Sequence, residues 1–165
     1  MVDTTLVLPL RGRPAREVLL GYKQVGFGAG KLTGVGGKIE AYETPAASAA
    51  REVEEEIGLR VRPEDLGLSA RLDFCFPHRP EWSTVMYVFC AWHWQGAPAA
   101  GREIVPAWYA VDAIPYGQMW ADSTYWLPRV LAGERVRGLF YFAADNETVA
   151  RAEVEAWDDE SLEGM

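Results

Sequence analysis

The chain has 165 residues, 49% of them apolar and 12% aromatic, which is the length of one domain with enough side chain for a substantial core. Its formal charge of −8 disfavours sequence-independent binding to long nucleic acid, which needs a basic track to replace condensed counterions. No window offers the roughly 18 uninterrupted apolar residues of a membrane span, and Met1 to Pro9 lacks the basic start of a signal peptide. The expectation is a cytoplasmic protein without membrane or nucleic-acid partners. Cys75 and Cys90 lie in separate strand-like runs, as buried reduced thiols rather than a disulfide framework.

In chain order, strand-like runs occupy Thr4 to Leu10 and Glu17 to Tyr22, and a glycine-dense stretch, Gly26 to Gly37, follows. A helix is expected from Pro45 to Ile57: Thr44 suits the N-cap, Pro45 the first helical position and Gly58 the left-handed terminus. Further strands are expected at Leu68 to Phe76, Thr84 to Trp94, Ala107 to Val111 and Arg137 to Ala143. A second helix starts after Ser123 and runs through Trp126, Leu127, Val130 and Leu131 to Gly133, with Pro128 tolerated in its first turns. No repeat or linker divides the chain, so residues 1–165 read as one layered α/β domain ending in an acidic, solvated tail, about 156–165, to which no chemistry is assigned.

At about 100° per residue, Glu55 and Glu56 of the first helix fall within roughly 60° of Glu52. Ala46, Ala49, Ala50, Val53 and Ile57 form an apolar stripe about a third of a turn away. Packing of that stripe on a sheet would aim three carboxylates at one place, where they repel unless a cation neutralises them. Mg²⁺ suits such a site, because it takes oxygen ligands and leaves positions for phosphate oxygens. Glu54 points away, as a solvated charge. A run of glutamates by itself describes only a solvated face. The upstream loop adds a second element: Gly34, Gly36 and Gly37 allow close approach of backbone to a ligand, and Lys38 can meet a phosphate as a point charge.

Gly37, five residues, Glu43, seven residues, then Arg51-Glu52-Val53-Glu54-Glu55-Glu56-Ile57-Gly58-Leu59 match the full Nudix box. The chain therefore resembles the Nudix hydrolases. The resemblance implies an α/β/α sandwich with a mixed β-sheet and a loop-helix-loop catalytic unit. It implies Mg²⁺, with Mn²⁺ as a possible substitute, held by Glu52, Glu55, Glu56 and the Gly36 carbonyl. It also implies that Glu43 and Arg51 orient the helix through an ion pair, for which an arginine fork is well suited. The implied reaction is substitution at phosphorus by water; either Glu56 or Glu103, on the loop before Trp108, would take the proton and join the metal site.

Outside the box, Gly26-Phe27-Gly28-Ala29-Gly30-Lys31, Gly34-Val35-Gly36-Gly37-Lys38, Met119-Trp120 and Tyr125-Trp126 are similar to the eukaryote-type 8-oxo-dGTP diphosphatase branch, which sanitises the nucleotide pool and so belongs to DNA repair. That similarity runs from about Leu6 to Glu155. It implies that Phe27, Phe74 and Trp120 sandwich a purine, that Asp122 reads its polar edge, that Thr33 and Gly37 line the site, and that Lys23 and Lys38 sit near sugar or phosphates. Three positions depart from the branch: Thr33 replaces an asparagine, Ser123 the second of two adjacent acidic residues, and Thr84 a methionine. Base recognition leans on the first two, because threonine offers a hydroxyl where an amide offers two donors and an acceptor, and a lone carboxylate has no partner with which to share a proton. Three functions follow as alternatives: hydrolysis of oxidised purine nucleoside triphosphates such as 8-oxo-dGTP to monophosphate and pyrophosphate; hydrolysis of other or broader nucleoside triphosphates or dinucleoside polyphosphates; or a silent nucleotide-binding module, disfavoured by the intact Arg51, Glu52, Glu55 and Glu56. His78 and His93 carry no assignment.

Overall fold

The computed structural model describes residues 2–158. Its organising element is β1 (Val2–Arg11), whose central residues are buried on both faces. Alternate side chains of a strand point to opposite sides, so Leu6, Leu8 and Leu10 enter one apolar cluster and Val7 the other. β1 pairs with three strands: parallel to β6 (Thr84–Ala91) along Val2 to Pro9, antiparallel to β4 (Val35–Lys38) at Thr4 to Val7, and antiparallel to β2 (Glu17–Lys23) at Leu10 and Arg11.

The sheet extends from β6 through β5 (Leu66–Cys75) and β8 (Val136–Phe142) to β9 (Val149–Ala156). On the other side β2 pairs with β3 (Leu32–Thr33) and β7 (Ile104–Ala110). Because β1–β6 and β5–β8 are parallel and the other pairings antiparallel, the sheet is mixed.

Helix α1 (Pro45–Ile57) covers one face, sealing Ala49, Val53 and Ile57 against Val7, Leu19, Val35 and Phe89. Helix α2 (Ser123–Leu131) covers the other, where Trp126, Leu127, Val130 and Leu131 meet Leu8, Leu72 and Phe140. The result is the expected α/β/α sandwich, a helix on each side of a mixed sheet. At α1 the N-cap is Thr44, whose hydroxyl accepts from the Ala47 amide at 3.1 Å, and the helix ends at Gly58, φ 78°.

Two stretches differ from the sequence expectation. The glycine-dense segment, expected as a loop, contributes β3 and β4, because Gly36 is wanted for closeness: a Cβ there would collide with the Thr5 carbonyl of the paired strand. A last strand was not anticipated from the sequence, and it runs up to the start of the expected tail. Glu153 and Glu155 belong to β9, which pairs antiparallel with β8, and Trp157 beyond it is buried. Alternation in β9 is blurred by charged residues on an edge strand, which masks the strand signal. Residues 159–165 lie outside the described residues.

Candidate active site

Strand β4 carries Gly36, Gly37 and Lys38, and after a short turn α1 returns over it, so the glycine segment and the acidic helix face touch. A Cβ on Gly37 would stand 2.6 Å from the Glu52 carboxylate, so a side chain there would push that carboxylate out of its present position. The Lys38 carbonyl accepts from Ser48 Oγ and Arg51 Nη2, both at 3.4 Å, which pins the strand end to the helix.

Arg51 organises this unit. Its Nε donates to Glu43 Oε2 at 2.7 Å and its Nη2 to Glu43 Oε1 at 2.8 Å; its Nη1 donates to Glu52 Oε1 at 3.1 Å and to Glu55 Oε2 at 3.2 Å. The guanidinium, with a further hydrogen bond from the Glu40 amide, holds the Glu43 carboxyl down at about 2. Glu56 behaves oppositely: burial, then the charge and hydrogen bond of neighbouring Glu52, then the charge of Glu103, push its carboxyl up to about 8 against the opposing charge of Lys23. Glu56 Oε2 is buried without a hydrogen-bond partner. Thus Glu52, Glu56 and Glu103 share one electrostatic neighbourhood, although Glu103 itself is exposed.

Glu55 is not brought into that group. It is 59% exposed and turned to Arg51, and among the described residues no three carboxylate, imidazole or thiol groups converge into a ready-made cage. Carboxylates that repel one another take the nearest cation, which here is Arg51. An orphaned buried carboxylate oxygen, crowded acidic neighbours and a glycine-lined approach nevertheless fit a hard divalent cation with oxygen ligands.

A cleft leads away from the acidic face. Lys23, Gly36, Gly37 and Lys38 line it together with Thr33, Phe27 and Trp120, and it opens into a second, mostly apolar cavity with roughly 610 Å³ of space including its mouth. That cavity holds Phe27, Thr33, Phe74, Thr84, Trp120, Asp122 and Ser123, so every residue of the expected base pocket lies on one surface. Asp122 is 5% exposed; its Oδ2 accepts from Trp126 Nε1 at 2.8 Å, and burial raises its carboxyl to about 6. Phe74 is buried and stacks on Phe140 at 5.5 Å, forming a back wall.

The expected sandwich is closed. Phe27 lies directly on Trp120, ring centroids 5.3 Å apart and planes at 21°. Three contributors were given no role in the site from sequence: Trp82, edge-on to Phe27 at 4.9 Å; Lys31, whose Nζ sits 4.8 Å from the Trp120 ring centroid and 2.9 Å from Glu147 Oε2; and Trp126, the anchor of Asp122. Only Trp126 had a readable signal, its i+4 spacing from Asp122 at the start of a helix. Trp82 and Lys31 act through contacts between distant parts of the chain.

The family model for the NUDIX domain matches residues 2–130. The chain belongs to the Nudix family. Among its relatives, a protein of Danio rerio named oxidized purine nucleoside triphosphate hydrolase is 42% identical over 137 residues, 83% of this chain and 85% of the relative. One of Mus musculus with the same name is 41% identical over 145 residues, 88% of each chain. The crystal structure of a mutator MutT protein from Bacillus halodurans shares the fold, with a TM-score of 0.75 over 94% of this chain and 98% of that one at 20% identity. Among the described residues of this Nudix chain no helix is long and apolar enough to cross a membrane.

Proposed function

We propose that this Nudix protein is a Mg²⁺-dependent diphosphatase of purine nucleoside triphosphates, oxidised ones such as 8-oxo-dGTP foremost, releasing monophosphate and pyrophosphate and so sanitising the nucleotide pool. The observation that carries the reading is the continuity of surface: an aromatic cavity ending at buried Asp122 joins a cleft lined by Lys23, Gly37 and Lys38, of which Gly37 lies against the Glu52 carboxylate and Lys23 acts on Glu56. The names of the zebrafish and mouse relatives support the same substrate class.

In this reading Glu52, Glu56 and the Gly36 carbonyl would hold the metal, with Glu103 and Glu55 as the further carboxylates of the set. The bound cation supplies charge neutralisation at the phosphates and lowers the pKa of a ligated water. Arg51, locked to Glu43, keeps Glu52 aimed and releases Glu55 at little cost, since that contact is exposed. Lys23 and Lys38 meet phosphate oxygens as mobile point charges. Trp120 supplies the stacking face, and Asp122, neutral or ionised according to pH, gives or accepts a hydrogen bond at the purine edge. The protein acts on a soluble nucleotide, consistent with a cytoplasmic site of action.

A broader purine preference is the second reading, and Ser123 favours it. Beside Asp122 at the cavity wall it provides a hydroxyl and no second carboxylate, so the pair cannot share a proton between two acids. The deciding experiment measures kcat/KM with Mg²⁺ for 8-oxo-dGTP, dGTP, 2-hydroxy-dATP, dATP and dCTP, following pyrophosphate and monophosphate. A lead of 8-oxo-dGTP over dGTP of about tenfold, or about 1.4 kcal/mol, supports sanitation; a flat panel replaces it with the broader reading, and no Mg²⁺-dependent turnover of any nucleotide removes both.

A further inference from the structure

A planar base stacked between two rings needs walls about 7 Å apart, twice a contact distance of about 3.5 Å. Phe27 and Trp120 are 5.3 Å apart, so the two cannot enclose a base as they stand. One ring must leave. Trp120 is braced by Lys31 over its face and by the edge contacts of Phe76 and Phe142 at 6.1 and 5.9 Å. Phe27 is 50% exposed and stands between Gly26 and Gly28, both at φ 81°, a backbone that tolerates rearrangement. Phe27 is therefore the ring that moves, and at present it occupies the stacking position on Trp120.

The surface that receives it is Trp82. This ring meets Phe27 edge-on at 4.9 Å, meets buried Phe76 edge-on at 5.6 Å, and carries the Arg79 guanidinium 4.5 Å from its centroid. With Phe27 and Trp120 it is one of three aromatic rings that line both the apolar cavity and the phosphate cleft. Nearby stands Thr84, too short to support a base face from that side. Held by Phe76 and Arg79, Trp82 has the area and rigidity that threonine lacks.

We infer that Trp82 is a specificity-determining residue: a purine displaces Phe27 from Trp120, and Trp82 backs the displaced ring so that both faces of the base are covered. The inference rests on the purine-nucleotide reading above. Stacking scales with the area covered, so losing this support costs a purine more than a pyrimidine.

The test uses the full chain with Mg²⁺ and calorimetric binding of dGMP and dCMP, which does not require turnover, beside kcat and KM for dGTP and dCTP. Trp82→Leu keeps an apolar side chain at a half-buried position and removes the aromatic face; in it the dGMP Kd and dGTP KM rise about tenfold, the pyrimidine values move no more than about twofold, and kcat stays within about twofold. Trp82→Phe restores most of the purine preference. Equal losses for purine and pyrimidine, a fall in kcat with unchanged KM, or an unaltered dGMP affinity would overturn the inference, as would failure of the wild type to bind dGMP. If the wild type turns over no nucleotide yet loses dGMP affinity in Trp82→Leu, the base slot stands and the hydrolase reading falls.

Discussion

Arg51 meets both oxygens of the Glu43 carboxylate, at 2.7 and 2.8 Å, and thereby ties the turn before α1 to the helix that bears Glu52 and Glu56. The bond is a two-pronged fork, and lysine has only one prong. Arg51→Lys is expected to lower kcat by about ten- to a hundredfold with a smaller change in KM, because it loosens positioning and leaves the base slot intact. Steady-state kinetics with dGTP check this, and a changed KM at constant kcat would remove Arg51 from helix positioning.

The same pair sets a pH dependence. Glu43 titrates at about 2 in the folded protein against an ordinary value of 4.5. Its contribution to stability is therefore complete above about pH 4.5 and lost as pH falls toward 2, where the folded carboxylate finally takes its proton. In acid titrations of Tm, Glu43→Gln should lie below the wild type at pH 6 and approach it near pH 2. Parallel curves would show that the fork adds no pH-linked stability.

Asp122 has the opposite sign. Burial raises it from 3.8 to about 6, so between those values the unfolded chain has lost a proton that the folded chain keeps, and stability falls as pH rises through the window. The full effect is about 3 kcal/mol at about 1.4 kcal/mol per pKa unit. Asp122→Asn keeps an oxygen for Trp126 Nε1 and cannot ionise. The Tm of the wild type relative to this variant should drop between pH 4 and pH 7; a constant difference would mean that Asp122 is ionised throughout.

Removing the carboxylate whose Oε2 is buried and unpartnered should separate catalysis from folding. Glu56→Gln is expected to cut kcat at least a hundredfold while the metal-free Tm stays equal or rises, since the cost of burying an ionisable carboxyl beside Glu52 disappears. Added Mg²⁺ should raise the Tm of the wild type and not that of the variant. Normal turnover in Glu56→Gln would dismiss the metal assignment.

Base selection is addressed by restoring what the pocket lacks. Ser123→Asp with Thr33→Asn places a second carboxylate beside Asp122 and an amide on β3, both on the cavity wall. The double variant should raise the 8-oxo-dGTP to dGTP ratio of kcat/KM by about tenfold or more, with coupling between the two changes. An unchanged ratio would locate the purine edge elsewhere.

Much of this was legible in local spacing. Thr44, Pro45 and Gly58 bound α1 because caps act within one turn, and the apolar stripe at Ala49, Val53 and Ile57 determined which side of α1 faces the sheet and hence where Glu52 and Glu56 emerge. The interval from Gly37 through Glu43 to Arg51 anticipated contacts that run within a single loop-helix unit. Tertiary structure alone decided the rest. It turned Glu55 to Arg51, laid Phe27 on Trp120 and brought Trp82 against Phe27, because side chains remote in sequence meet only where sheet pairing and helix docking deliver them. It also made strands of β4 and β9, whose glycines and charges hide alternation: pairing satisfies backbone groups whatever the side chains advertise.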